Sequence, residues 1–141
     1  MNYIFSAIFL YFFLGFLLYI FQRRIVFNKS GHPGAPKDYN LDNTEEVYIK
    51  TEDNLKLLSW YHKGNNSLPL LVYFHGNSFH IGDRAYRIQR YIEKNWSVLL
   101  VSWRGFGGNE GNPTEKNLYK DAEAVLKLSL IHISEPTRQI V

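Results

Sequence analysis

Residues 75–80, His-Gly-Asn-Ser-Phe-His, set two imidazoles, a hydroxyl and a side-chain amide directly after the apolar run "LLVYF". A histidine beside a serine can serve as the general base for a nucleophile. Two histidines with further ligands can hold a metal. Otherwise the loop only shapes a site whose chemistry lies elsewhere. The metal reading lacks ligands, since His32 and His62 stand alone in the sequence and the chain has no cysteine. A second candidate, "RGFGGNEG" at residues 104–111, has the glycine density of a phosphate loop. It fits neither GxxxxGK[ST] nor GxGxxG and reads as a structural turn.

The elements that must position these residues follow from periodicity. "EEVYIK" and "LKLLSWYHK" are β-prone runs joined by "TEDN", a hairpin pattern. "LLVYF" and "SVLLVSW" are continuous apolar runs of strand length, suited to strands covered on both faces. Between them Asp83 is expected to cap a helix over "RAYRIQRYIEKN", with Ala85, Ile88 and Ile92 at helical spacing. After the glycine-rich loop, Thr114 leads into a helix over 115–127 with Leu118, Ala122 and Val125 on one face, its Lys and Glu residues turned to solvent. Strand, loop, helix repeated twice is an α/β pattern.

Ahead of this lies a different kind of segment. Residues 2–22 carry no charged side chain, and about 20 apolar residues in a helix rising 1.5 Å each cross a hydrocarbon core of about 30 Å. A cleaved signal is disfavoured, because no Lys or Arg precedes the run and "FQRR" follows it. The expected arrangement is an anchor at 1–24, a Gly/Pro/Asn-rich linker at 25–44 and a domain at 45–127. Arg23, Arg24 and Lys29 flank only the C-terminal side, which by charge bias leaves the domain in the cytoplasm. The net charge of +3 is spread along the chain and points to no nucleic acid. Without cysteine there is no disulfide framework and no cysteine nucleophile.

"VYFHGNS" with "IGDR", followed by "LLVSWRGFGGNEGNPTEKNLYKDAEAVL", resembles the first half of an α/β-hydrolase. The match is closest to the membrane-anchored serine hydrolase branch, of α/β-hydrolase-domain or serine aminopeptidase-like proteins, and "FQRRIVF" is similar to its post-anchor segment. The likeness covers about residues 20–127. It implies the N-terminal part of an α/β-hydrolase fold, a mostly parallel sheet flanked by helices and preceded by one transmembrane helix. It also implies cleavage of an ester, thioester or amide bond through a Ser-His-Asp triad, with no cofactor. The bilayer, through residues 2–22, and a small-molecule or lipid-like acyl substrate are the implied partners.

In such enzymes one oxyanion donor comes from the loop after the third strand. By resemblance that donor is the backbone N–H of Asn77, with Ser78 beside it. His75, Gly76, Arg104 and Gly105 then organise the loops, Gly76 by adopting dihedrals that a Cβ would forbid. The triad histidine lies downstream of the nucleophile in this family, so His75 is not the base, and His80 is expected to be an exposed loop residue. Two departures, Ser78-Phe79-His80 after the His-Gly-Asn motif and Ser102-Trp103 before Arg104, are expected to reshape the pocket.

None of the nine serines lies in a Gly-x-Ser-x-Gly setting. The chain is therefore expected to end before the nucleophile and to be inactive as it stands. The alternative is a non-catalytic, membrane-tethered binding protein on the same scaffold. Residues 128–138, "LSLIHISEPTR", also resemble the peptide read from one frame of a transposon-based sequencing-library adapter, so 128–141 is expected to be an artefactual tail. An unpaired edge on the "LLVYF" strand would then favour aggregation and poor folding.

Overall fold

The computed structural model describes residues 2–134. Helix α1 (Asn2–Val26) comes first, then strands β1 (Asn28–Lys29), β2 (Thr44–Lys50), β3 (Lys56–His62), β4 (Leu70–Phe74) and β5 (Ser78–Phe79). Helix α2 (Ala85–Ile92), strand β6 (Ser97–Val101) and helix α3 (Glu115–Ser134) complete it. The main sheet runs β2-β3-β6-β4, while β1 and β5 form a separate two-residue parallel pair.

Alternation along the central strands builds two cores. Leu58, Trp60, Val98 and Leu100 face one side with Leu41, Ile81, Ala85 and Ile88, which places α2 there. Leu57, Leu99 and Val101 face the other with Ile49 and Val125, which places α3 there. Both faces are covered because β6 is buried at every residue, as a continuous apolar strand requires. Each fully buried Leu or Val on it contributes roughly 1.5–3 kcal/mol.

Three expectations change in detail. Within the described residues the sheet is mixed, since β2–β3 and β3–β6 are antiparallel and β6–β4 is parallel. The first joint is the expected hairpin, and the parallel joint is the one spanned by α2. Asp83 does not cap α2. It lies in the 3-10 turn Ile81–Arg84 and accepts a hydrogen bond from the His80 N–H at 3.3 Å, so it closes the turn ahead of the helix. Helix α3 continues past residue 127 to Ser134, in keeping with the lack of a Gly or Asn stop signal. Thr114 caps its start, accepting from the Asn117 N–H at 3.3 Å.

Among the described residues strand β4 is an outer strand, joined to β6 on one side and half-buried along its length. Within Tyr3–Val26 of α1 the most apolar 18-residue stretch has a mean hydropathy of 2.4, and none of that stretch is buried. The helix is long and apolar enough to cross a membrane.

Candidate active-site loop

The loop after β4 is held from two directions. On one side Trp103, just beyond β6, donates its backbone N–H to His75 Nε2 at 3.3 Å and its indole N–H to the His75 carbonyl at 2.8 Å. The same indole stacks on Phe74 at 4.6 Å between ring centres. Phe106 meets the imidazole edge-on at 5.1 Å. His75 is 3% exposed, and burial pushes its pKa down to about 4. A neutral ring accepting at Nε2 carries its proton on Nδ1. His75 is thus a buried, neutral strut joining the ends of β4 and β6.

On the other side Asn77 binds the segment after α1. Its side-chain amide donates to the Val26 carbonyl at 2.8 Å, filling one acceptor that a helix C-terminus leaves open. Its carbonyl accepts from the Asn28 N–H at 3.2 Å, and the β1–β5 pairing extends this contact to Ser78. The Asn77 N–H is committed to no hydrogen bond among the described residues. It lies just past the C-terminal end of β4, where ligands collect in open α/β sheets.

Gly76 differs from expectation. Its φ is not positive, and a Cβ there would meet nothing within 4 Å. What it supplies is bare space in front of the backbone. The left-handed position belongs to Phe79, at φ 65°. His80 is half-buried, with its ring edge on Tyr39 and its Nδ1 3.1 Å from Asp83 Oδ2.

Gly105 is the glycine that the backbone demands. At φ 75° a Cβ would sit 2.8 Å from both the Gly111 carbonyl and Pro113 Cδ. Gly105→Ala should therefore cost at least about 2 kcal/mol, from strain plus clash, whereas Gly76→Ala should stay within about 0.5 kcal/mol. Urea midpoints of the two variants check this. Equal midpoints would contradict the assignment.

Arg104 anchors the turn beneath. It is 2% exposed and its Nε and Nη2 donate to Asp121 Oδ1 on α3, while its backbone N–H donates to Asp121 Oδ2 at 3.1 Å. Nη1 and Nη2 reach Asp53, in the β2–β3 turn, at 2.7 and 3.1 Å. Hydrogen bonds from Arg104, then from Thr51, hold the Asp53 carboxyl well below the usual carboxylate range. Asn109 completes the staple, accepting from the Leu58 N–H at 2.9 Å and donating to the Ser102 and Trp103 carbonyls.

Sequence reasoning passed over Asp53, Asp121 and Asn109. The one signal for Asp121 was its phase, four residues before buried Val125 on α3. Among the described residues no group of three His, Asp or Glu side chains is placed to hold a metal ion. The two imidazoles of the loop have separate duties, one inside the strut and one against Tyr39.

Comparison with known proteins gives three related observations. Protein bem46 of Schizosaccharomyces pombe is 31% identical over 140 residues, covering 91% of this chain and 46% of its own length. The α/β-hydrolase domain-containing protein WAV2 of Arabidopsis thaliana is 29% identical over 119 residues, covering 78% of this chain and 38% of its own length. The solved structure of the Pyrococcus furiosus esterase Pf2001 superposes with a TM-score of 0.60 at 22% identity, covering 81% of this chain and 46% of that one. No family model matches the sequence. The chain spans less than half the length of each of these proteins.

Proposed function

These residues form part of an α/β-hydrolase fold, and we propose that it serves a membrane-anchored serine hydrolase that cleaves an ester, thioester or amide bond. The Asn77 N–H is one of the two oxyanion donors, and α1 holds the domain at a bilayer. The substrate is a small-molecule or lipid-like acyl compound. The observation that carries this reading is the state of Asn77, whose side-chain amide donor and carbonyl dock the post-anchor segment while its backbone N–H, beyond β4, has no partner among the described residues. Further support comes from the hydrolase and esterase descriptions of the similar proteins.

His75 does not act as the base in this reading. Burial keeps it neutral, but its Nε2 is already occupied by the Trp103 N–H. It positions Gly76 and Asn77 and touches no reacting atom. The serine, its base and the acid are supplied by residues other than those described. The second reading is a tethered non-catalytic binding protein on the same scaffold.

A fluorophosphonate probe, applied to the protein expressed from its own gene with codons 120–140 resequenced, separates the two readings. Covalent labelling at a serine supports the hydrolase. Absence of labelling, with no Gly-x-Ser-x-Gly in the resequenced frame, supports the binding protein. In a labelled protein Asn77→Pro, which deletes the N–H, should lower kcat by about 10²–10³ with KM little changed. Asn77→Ala, which keeps it, should stay within about threefold of wild type.

A further inference from the structure

At the junction of α1 with the domain lies an open cleft of about 610 Å³, lined by Arg23, Arg24, Phe27, Asn28, Lys29, Asn112 and Pro113. That volume is in the range of small-ligand sites. Its charge is one-sided, with two guanidinium groups, one ammonium and no carboxylate in the lining. Among the described residues none of the three cations takes part in an ion pair. The Lys29 ammonium rests 3.5 Å from Asn112 Oδ1, a neutral partner.

Arg23 and Arg24 taken alone are what the end of an apolar helix ordinarily carries, cations that favour the C-terminal dipole and reach toward the interface. Lys29 is different, because it lies beyond the helix and is brought back to the same cleft by tertiary contacts. Asn77 grips the Val26 carbonyl, β1 pairs with β5, and Phe27 packs edge-on against buried Phe106 at 6.3 Å. Three cations are thereby gathered on a fixed wall rather than a loose tail.

We propose that this cleft binds a phosphate anion carried on the headgroup of an anionic membrane lipid. The placement rests on the reading of α1 as a membrane span, since the C-terminal end of such a span lies at headgroup depth. Cations there attract anionic headgroups, and planar guanidinium groups match phosphate oxygens two at a time. Asn28, which lines the cleft, donates its N–H to the Asn77 carbonyl, so a bound headgroup and the candidate oxyanion donor share one framework.

The test uses the full chain in nanodiscs of phosphatidylcholine containing about one-tenth phosphatidylglycerol, with retained lipid read by native mass spectrometry. Phosphatidylglycerol should be enriched about fivefold over its share. Arg23→Gln/Arg24→Gln/Lys29→Gln should abolish the enrichment. Lys56→Gln/Lys63→Gln/Lys116→Gln, which removes the same charge from exposed sites elsewhere, should keep it. The double variant Arg23→Gln/Arg24→Gln leaves every contact of residues 27–29 in place, and should lose most of the enrichment if the triple variant fails to fold.

Enrichment that survives in the cleft variants, or that falls equally in the control, overturns the proposal. Saturable binding of inorganic phosphate in discs of phosphatidylcholine alone, without phosphatidylglycerol enrichment, reassigns the cleft to the free anion and overturns the lipid part. Failure of the chain to float with phosphatidylcholine vesicles overturns the span itself, a result separate from headgroup selectivity.

Discussion

Arg104→Ala is expected to lose about 3–5 kcal/mol of stability, because it strands a carboxylate in the interior. Asp121 has no exposed surface and its two oxygens receive hydrogen bonds only from Arg104 among the described residues. The guanidinium also holds Asp53, so one side chain ties α3, the β2–β3 turn and the loop after β6. Arg104→Lys should be poorly tolerated, since an ammonium cannot reproduce a fork that serves two carboxylates. Arg104→Met/Asp121→Leu should recover most of the loss, because removing both charges removes the desolvation penalty. The measurement is urea unfolding in detergent micelles. A single Arg104→Ala variant as stable as wild type would show that the network has no net effect. Near-ultraviolet circular dichroism should also change in that variant, since neighbouring Trp103 is stacked on Phe74.

Acidification is expected to destabilise the domain before its carboxylates titrate. Burial lowers the His75 pKa to about 4 in the folded chain, against an ordinary value of 6.5. Between these values the unfolded chain binds a proton that the folded chain does not, so stability falls as pH falls. The contribution is fully present above about pH 7. About 2 kcal/mol of it is lost by pH 5, and about 3 kcal/mol once the pH passes below 4.

Burial also lowers the His62 pKa, which adds loss of the same sign in the same window. Asp53, whose pKa is lowered by Arg104, contributes only at lower pH, as the unfolded carboxylate begins to protonate. His75→Gln keeps a side-chain acceptor for the Trp103 N–H and removes the titration. Its urea midpoint should therefore change much less between pH 8 and pH 5 than that of wild type. Equal slopes would refute the assignment to His75.

The loop after β4 illustrates how far local pattern reaches. Its position could be read because an apolar run of strand length ended at His75 and a helical pattern began soon after. Its internal economy could not. That His75 is buried depends on Trp103 and Phe106, each more than two dozen residues away. Phe79, where sequence habit would place a glycine, holds a φ of 65° opposite Lys29 of β1, while Gly76 has no positive φ. Glycine content alone marked Gly76 and Gly105 as equals, but only Gly105 is confined by backbone and proline atoms.

By itself the sequence determined the elements whose signals are local: an uncharged run of membrane-crossing length, a hairpin, two apolar strands, of which β6 proves fully buried and β4 half-buried, and two helices in α/β order. Period-2 alternation and helical spacing are properties of neighbouring residues, so they survive without knowledge of the fold. Tertiary structure alone decided that β6 enters between β3 and β4, that Arg104 meets carboxylates 17 and 51 residues away, and that the Asn77 backbone N–H has no partner among the described residues. It also decided that Lys29 joins Arg23 and Arg24 around one cleft. Such partners carry no local signature, because burial and charge pairing are settled between elements and not within them.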